Sequence, residues 1–329
     1  MIGEMSSLDL TSVARAVLAR YTAPLASRPL VALGNHGGFS GASLWRVGDS
    51  LCLRAAPPVT DPAQLAAAHR LTLVARHGGL PFVPTVFAAL DGSTVVQHAG
   101  RCWELMEWMP GRASYQEAPS RLKLQSACTA LGRLHQCWAQ RHGSLATAPI
   151  PAVWRRLRDT NALPPDAAPV APLDPAGPVL ERARRILPHR LQQLPAMLLP
   201  YWSRKYARLQ PCLCDIWHDH LLFEGDRLTG LVDYAAVKND HVAVDLARML
   251  GSLVEDDEEG WRDGLVAYSR QRPLSEEDEA LARVLDVTGT IVGAANWVRW
   301  LSDPQRTFEN RAAAVRRLER LLGRIERWK

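Results

Sequence analysis

Two aspartates, Asp215 and Asp233, are the side chains of this sequence best placed to do chemistry. Between them, apolar residues 221–223 and 228–232 flank the turn residues 224–226, a pattern that predicts two short strands joined by a tight turn. Because one aspartate precedes this hairpin and the other closes it, we expect the two carboxylates to converge on one site. Such a site offers a base for a hydroxyl group and a ligand for a divalent cation. Two solvated turn aspartates are the alternative interpretation, since aspartate is a favoured turn residue.

A glycine-rich segment lies far upstream of the aspartates. Residues 37–47, Gly-Gly-Phe-Ser-Gly-Ala-Ser-Leu-Trp-Arg-Val, are typical of a glycine-rich turn that enters a strand. Glycine allows backbone N–H groups to approach phosphate oxygens closely, so Gly37, Gly38, Ser40 and Gly41 are candidate phosphate-binding residues. Taken alone, the same run also fits an ordinary hairpin turn.

The elements after this turn follow a definite order. The sequence predicts a strand at 51–54, a helix at 62–76, strands at 83–90 and 94–97, and then the segment Trp-Glu-Leu-Met-Glu-Trp-Met-Pro-Gly at 103–111. A helix at 127–138 carries a Leu-x-x-Leu-His pattern. The segment 163–178 holds six prolines and is expected to be a loop, because proline removes a backbone donor and blocks helix continuation.

Together these motifs resemble the aminoglycoside phosphotransferase and choline kinase-like family, small-molecule relatives of the protein kinases. The resemblance covers about residues 30–255 and lies in the order of several weak motifs. Its most specific part is downstream, and the matching residues there are Leu213-Cys214-Asp215, His220, Leu222-Phe223, Val232-Asp233-Tyr234, Asp240 and Asp245-Leu246-Ala247.

The resemblance implies an α+β, two-lobed protein-kinase-like fold. A small antiparallel-sheet lobe at 1–107 would bind the nucleotide, and a mainly helical lobe at 108–329 would hold the catalytic and substrate groups. On this match Asp215 is the catalytic base, while His220 and Asp233 hold Mg²⁺ or Mn²⁺ on the nucleotide. The remaining implied nucleotide contacts are Arg54, the loop with Gly37, Gly38, Ser40 and Gly41, and the backbone around Glu107 and Met109.

Four positions depart from the family pattern. Arg54 replaces the usual phosphate-binding lysine, and arginine can grip phosphate bidentately. The helix that follows has no glutamate, so we expect the usual ion pair to be lost, with Gln64 or His69 as a hydrogen-bonding substitute at most. Leu213 replaces a histidine. His220 replaces a metal-binding asparagine, and an imidazole favours softer metals than magnesium.

Length and composition agree with a two-lobed globular protein. The chain has 329 residues, of which 47% are hydrophobic and 22% charged, and its formal net charge is +5. Its arginines are interleaved with apolar residues at helical spacing, which favours solvated helix faces over nucleic-acid binding. The sequence shows no membrane span or signal peptide, and we expect a cytoplasmic protein with reduced cysteines.

The function predicted from the sequence is an ATP-dependent phosphotransferase that acts on a hydroxyl of a small polar molecule. One alternative is a catalytically impaired relative that binds a nucleotide or metabolite as a sensor or scaffold, which the four departures motivate. Another is a phosphohydrolase in which His218 and Asp219 bind metal. The sequence specifies neither the acceptor nor the oligomeric state, nor whether ATP or GTP is the donor.

Overall fold

An antiparallel sheet covered by helices dominates the first part of the chain in a computed structural model. The structure describes residues 7–34, 41–142, 144–146, 149–159, 176–202, 207–306, 308 and 310–328. Its first elements, in chain order, are α1 (Ser7–Leu18), α2 (Ala23–Ala26), β1 (Leu30–Gly34), β2 (Ser43–Val47), β3 (Leu51–Ala55), α3 (Pro62–His77), β4 (Val86–Phe87), β5 (Val96–His98), β6 (Arg101–Glu107) and α4 (Arg121–His142).

The later elements are mostly helical. They are β7 (Ser144–Ala146), α5 (Pro151–Asp159), α6 (Gly177–Trp202), β8 (Ala207–Cys212), a 3₁₀ turn (His218–His220), β9 (Leu221–Glu224), β10 (Arg227–Leu231), β11 (Lys238–Asp240), α7 (Ala243–Leu253), α8 (Glu258–Ser269), α9 (Glu276–Ser302) and α10 (Arg311–Arg327). No helix in the described ranges combines the length and the apolar character needed to cross a membrane.

The chain divides into two compact units. The first contains residues 1–130 and 219–237, and the second contains residues 131–218 and 238–329. The hairpin β9–β10 therefore belongs to the first unit, together with the sheet. The three-stranded sheet β11-β8-β7 and the helices from α5 to α10 belong to the second unit.

In the first unit, six antiparallel strands run in the order β1-β2-β3-β6-β4, and β5 also pairs with β6. Successive side chains on a strand point to opposite faces, so each face can carry its own core. On one face, Trp45, Leu53 and Leu105 pack against the α1 residues Val17 and Leu18. On the other face, small apolar residues pack against Leu65 of α3.

The start of α3 follows directly from its sequence. The side chain of Asp61 accepts a hydrogen bond from the N–H of Ala63 at 2.9 Å, and Pro62 occupies the first turn of the helix. An N-terminal cap of this kind satisfies a backbone donor that the helix itself leaves unpaired. One buried face of α3, which includes His69, packs over the sheet.

The hairpin confirms the pattern seen in the sequence. Glu224 pairs with Arg227 across the turn, and Gly225 has a φ of +57°, which glycine adopts without strain. The N–H of Val232 donates to the carbonyl of His220 at 3.0 Å, so the two ends of the hairpin are held together. This closure brings His220 close to Asp233.

Candidate functional site

A buried ionic cluster on the α3 side of the sheet contains the predicted phosphate-binding residue. Arg54 on β3 lies directly opposite Glu104 on β6 in the antiparallel ladder. Its Nη1 donates to Oε1 of Glu104 at 2.5 Å. Nε2 of His69, from α3, lies 2.5 Å from Oε2 of the same carboxylate. Glu104 therefore bonds one partner with each oxygen.

Electrostatics keep Arg54 and Glu104 ionised. Burial alone would raise the pKa of Glu104, but the charge of Arg54 and the hydrogen bond from His69 outweigh burial and hold the pKa at about 2. Burial alone would lower the pKa of Arg54, but the carboxylates of Glu104 and Asp233 raise it instead. Removing one partner of a buried pair typically costs about 3–5 kcal/mol, because the other charge is left uncompensated.

The expectation that the arginine would lose its ion pair is wrong. That expectation considered only a glutamate on α3, which has none. The carboxylate is that of Glu104 on the neighbouring strand β6. The helix supplies His69 instead, as the second partner of Glu104. A signal was present in the sequence, because Glu104 interrupts an apolar strand and a buried carboxylate requires a cation nearby.

Asp233 follows β10 and lies between two of the other predicted residues. Its φ is +65°, and its Oδ1 accepts a hydrogen bond from the N–H of Ala235 at 3.3 Å. Nη2 of Arg54 is 3.8 Å from Oδ1, and Nε2 of His220 is 3.8 Å from Oδ2. Three residues selected from the sequence, Arg54, His220 and Asp233, are thus brought together within the first unit.

The spacing of His220 and Asp233 fits a divalent ion. Two ligand atoms that each lie about 2.1 Å from one ion are separated by about 3–4 Å, depending on the coordination angle. The 3.8 Å between Nε2 and Oδ2 falls in this range, and the Asp233 side chain is 40% exposed, so other ligands can reach it. One imidazole nitrogen and one carboxylate suit manganese better than magnesium.

Only part of the predicted glycine loop can be placed. Gly37, Gly38 and Ser40 lie outside the described residues. Gly41 has a φ of +77°, which a residue with a side chain rarely adopts, and its carbonyl accepts a hydrogen bond from Arg101 at 3.4 Å. The role of this loop in phosphate binding stays a prediction.

The segment expected to bind adenine is anchored on both sides. The N–H of Glu107 donates to Thr85 at 2.9 Å, and its carboxylate accepts from the hydroxyl of Thr85 at 2.9 Å and pairs with Arg76 at 3.2 Å. The N–H of Trp108 donates to the carbonyl of Ser50 at 2.8 Å. The Glu107 carboxylate therefore has a structural role, and adenine binding at Glu107 and Met109 stays a prediction.

Asp215 belongs to the second unit, where α7 organises its surroundings. Asp245 accepts hydrogen bonds from the N–H groups of Leu213 at 2.6 Å and Cys214 at 2.7 Å. Cys214 has a φ of +62°, so these two bonds hold a strained backbone directly before Asp215. The Asp215 carboxylate itself contacts Arg248, a partner that the sequence did not suggest. Its convergence with Asp233 stays a prediction.

Behind Asp215 lies a buried hydrogen-bonded core. His135 contacts Oδ2 of Asp245 at 3.0 Å with one ring nitrogen and the hydroxyl of Tyr268 at 2.8 Å with the other. In the described part of the chain, His135, Cys212 and Asp245 also form a group that could hold a metal ion. Asp245 already accepts hydrogen bonds from the N–H groups of Leu213 and Cys214 and contacts His135, and burial raises the pKa of the Cys212 thiol well above its usual range. We interpret the group as structural.

The histidine required by the phosphohydrolase alternative has another role. Nδ1 of His218 lies 2.7 Å from the hydroxyl of Ser252 on α7, and the N–H of His218 donates to the same hydroxyl at 3.1 Å. His218 is also largely buried. These contacts fix His218 to α7 and give that alternative no support.

Comparison with known proteins agrees with this description. The family model of the phosphotransferase enzyme family matches residues 32–284. A homoserine kinase of Bradyrhizobium diazoefficiens is 26% identical over 239 residues, which are 69% of this chain and 67% of that protein. A homoserine kinase of Nitrobacter hamburgensis is 37% identical over 76 residues, so the match spans 22% of this chain and only 23% of that relative.

Solved structures extend the likeness to the whole fold. An amicoumacin kinase in complex with AMP-PNP, Ca²⁺ and Ami is similar with a TM-score of 0.67 and 13% identity, covering 98% of this chain and 93% of the other. The antiparallel sheet and the mainly helical remainder are the architecture expected from the sequence. The chain therefore belongs to the phosphotransferase enzyme family and has its protein-kinase-like fold.

Proposed function

We propose that this protein transfers the γ-phosphate of ATP to a hydroxyl group of a small polar molecule. The observation that carries the proposal is the arrangement around Asp233. Arg54 lies on one side of this carboxylate and His220 on the other, each at 3.8 Å. A phosphate-binding cation and two metal ligands in one place are what a metal–nucleotide complex requires.

Each residue has a distinct role in the proposed reaction. Asp215 accepts the proton of the acceptor hydroxyl as its oxygen forms a bond to the γ-phosphorus, while the bond to the ADP oxygen breaks. Arg54 binds phosphate oxygens and offsets their charge. Gly37, Gly38, Ser40 and Gly41 supply backbone donors to the phosphates, and the segment with Glu107 and Met109 binds the adenine edge.

Asp233 and His220 are the proposed ligands of a divalent ion, Mg²⁺ or Mn²⁺. When bound, the ion would neutralise charge on the triphosphate. The half-exposed Asp233 carboxylate can serve the ion and remain within reach of Arg54. The amicoumacin kinase complex holds an ATP analogue together with Ca²⁺, which supports the use of a nucleotide and a divalent ion.

The acceptor is proposed from chemistry and from the relatives. Two relatives are homoserine kinases, and homoserine is a small amino acid with a hydroxyl group. We therefore place amino alcohols and hydroxylated amino acids first in an acceptor screen, with aminoglycosides and choline after them. The measurement is ADP formation with each acceptor, with Mg²⁺ and Mn²⁺ in parallel.

Two variants test the mechanism. Asp215→Asn removes the base but keeps the shape of the side chain, so we expect turnover to fall by about 10²–10⁴-fold while nucleotide affinity is kept. Asp233→Ala removes a metal ligand and is expected to weaken metal-dependent nucleotide binding in calorimetry. Full turnover in the Asp215 variant would refute its assignment, and unchanged affinity in the Asp233 variant would refute the metal site.

A protein that binds a nucleotide without turnover is the second candidate. His220, in place of the family's asparagine, is the observation that favours it. Asp215 speaks against it, because a protein that only binds a nucleotide has no chemical need for a base. Nucleotide binding without ADP formation, across both metals and the whole acceptor panel, would support the binder over the enzyme.

A further inference from the structure

The guanidinium of Arg54 faces two carboxylates with two different nitrogens. Nη1 bonds Glu104 at 2.5 Å, and Nη2 points to Asp233 at 3.8 Å. The first contact is buried, since the side chains of Arg54 and Glu104 are 11% and 3% exposed. The second opens toward solvent at the half-exposed Asp233. One edge of the guanidinium is therefore held by Glu104, and the other edge faces Asp233 on the solvent side.

Glu104 is in turn held by His69. Ionised glutamate offers only acceptors, so Nε2 of His69 must carry the proton of their 2.5 Å contact. His69 itself is 2% exposed and belongs to the buried face of α3. The carboxylate is thus fixed from the strand by its backbone, from β3 by Arg54 and from the helix by His69.

We propose that Glu104 and His69 are positioning residues for Arg54, and that together they take over the task of the missing helix glutamate. Glu104 orients the guanidinium, and His69 orients Glu104. The inference rests on the proposed phosphotransferase function, because the presented edge of Arg54 is assigned to nucleotide phosphates.

The arrangement also explains why arginine, and not lysine, occupies position 54. A lysine ammonium is a single charged centre, whereas the planar guanidinium has separate edges that bind two groups in fixed directions. Here one edge is used by Glu104, and the other remains for Asp233 and the phosphates. A lysine would have to share its one charged centre between Glu104 and the phosphates.

The competing explanation is a purely structural ion pair that stabilises the sheet. Both explanations predict a loss of stability when Glu104 is neutralised, so stability alone does not separate them. Only the positioning role predicts that a carboxylate on the helix, at position 69, restores nucleotide binding. Only the positioning role predicts that nucleotide binding is weakened while the KM for the acceptor stays unchanged.

The experiment measures Mg-ATP and Mn-ATP affinity by calorimetry, and KM for ATP and for the acceptor, in three proteins. These are the wild type, Glu104→Gln and the double variant His69→Glu/Glu104→Gln. We expect Glu104→Gln to weaken nucleotide binding about ten- to hundredfold, as for other residues that orient a ligand-binding group. We expect the double variant to regain most of this loss, with the acceptor KM unchanged throughout.

Asp286→Asn is the matched control, because Asp286 is also a buried carboxylate paired with an arginine, Arg324 of the second unit. It should lower the unfolding midpoint and leave the ATP KM unchanged. Wild-type affinity in folded Glu104→Gln, or no recovery in the double variant, would overturn the inference while wild-type turnover keeps the proposed function intact. If Glu104→Gln does not fold, the double variant alone decides: nucleotide binding close to the wild type supports the inference, and weak binding overturns it. A wild type that binds no nucleotide would refute the proposed function and this inference with it.

Discussion

The carboxylate of Asp215 contacts the guanidinium of Arg248, which lies three residues after Asp245 on α7. Asp245 bonds the backbone N–H of Cys214, the residue directly before Asp215. A single turn of this helix therefore holds both the backbone and the side chain of the proposed base. Arg248 and Asp215 are 39% and 52% exposed, so an acceptor molecule can reach both.

Arg248→Ala is expected to lower kcat about fivefold and leave the ATP KM unchanged, because a half-exposed ion pair is worth only about 1 kcal/mol. The physical reason is that the Asp215 carboxylate loses the group that orients it. Steady-state kinetics with saturating ATP provide the measurement. Arg248→Lys is the control and should lose less of the wild-type kcat than the alanine variant, since a cation remains. Wild-type kcat in the alanine variant would contradict the orienting role.

His220→Asn is expected to shift the metal preference of the reaction from Mn²⁺ toward Mg²⁺. The reason is that an amide oxygen is a harder ligand than an imidazole nitrogen. The measurement is the ratio of initial rates with the two ions at equal concentration, compared with the same ratio for the wild type. An identical ratio in the two proteins would show that His220 does not contact the metal.

Glu104 should make stability depend on pH in the acid range. Its pKa is about 2 in the folded protein, below the ordinary glutamate value, so its ionised form stabilises the fold. This contribution, on the order of 3 kcal/mol, is complete above about pH 4.5 and is lost as the pH falls toward 2.

The measurement is urea unfolding of the wild type and of Glu104→Gln across pH 2–6. The difference in unfolding free energy between them should shrink as the pH falls, because only the wild type loses this contribution. A difference that stays constant with pH would mean that Glu104 is not ionised in the folded state.

Gly111→Ala should destabilise the first unit strongly. Gly111 has a φ of +93°, and an added Cβ would lie 2.4 Å from Oγ1 of Thr229 and 2.9 Å from the backbone of Phe223. Strain and overpacking together are expected to cost about 2–5 kcal/mol, measured by chemical denaturation. Gly92→Ala is the control, since Gly92 has a similar φ of +83° with no atom within 4 Å of the new Cβ. Its cost should be about 1–2 kcal/mol. Equal losses in both variants would contradict the close contact at Thr229.

Elements with strong local signals were predictable from the sequence. The hairpin at β9–β10 follows from two apolar runs around a glycine turn, and α3 follows from its capping aspartate and proline. The strand predicted at 83–90 is confirmed only at Val86–Phe87. Pro84 removes a ladder donor there, and Leu90 bonds the carbonyl of Arg20 instead of a neighbouring strand.

The candidate site was predictable where a motif marks it and not where a contact joins distant segments. Asp215, His220 and Asp233 were selected because their spacing matches a family pattern, and their roles stay predictions. Glu104 was missed as the partner of Arg54, because strand pairing depends on the register between β3 and β6, which the sequence does not reveal. Arg248 was missed because a single arginine on an amphipathic helix has no distinguishing pattern.

The cross-strand position of Arg54 and Glu104 bears on how activity could be controlled. In kinases whose glutamate sits on a movable helix, displacing that helix breaks the ion pair and switches the enzyme off. Here the pairing of β3 with β6 itself places Arg54 opposite Glu104. Displacing α3 would remove only the contact from His69. Control of activity by movement of α3 would therefore have to act through His69, since the Arg54–Glu104 ion pair itself does not depend on the helix.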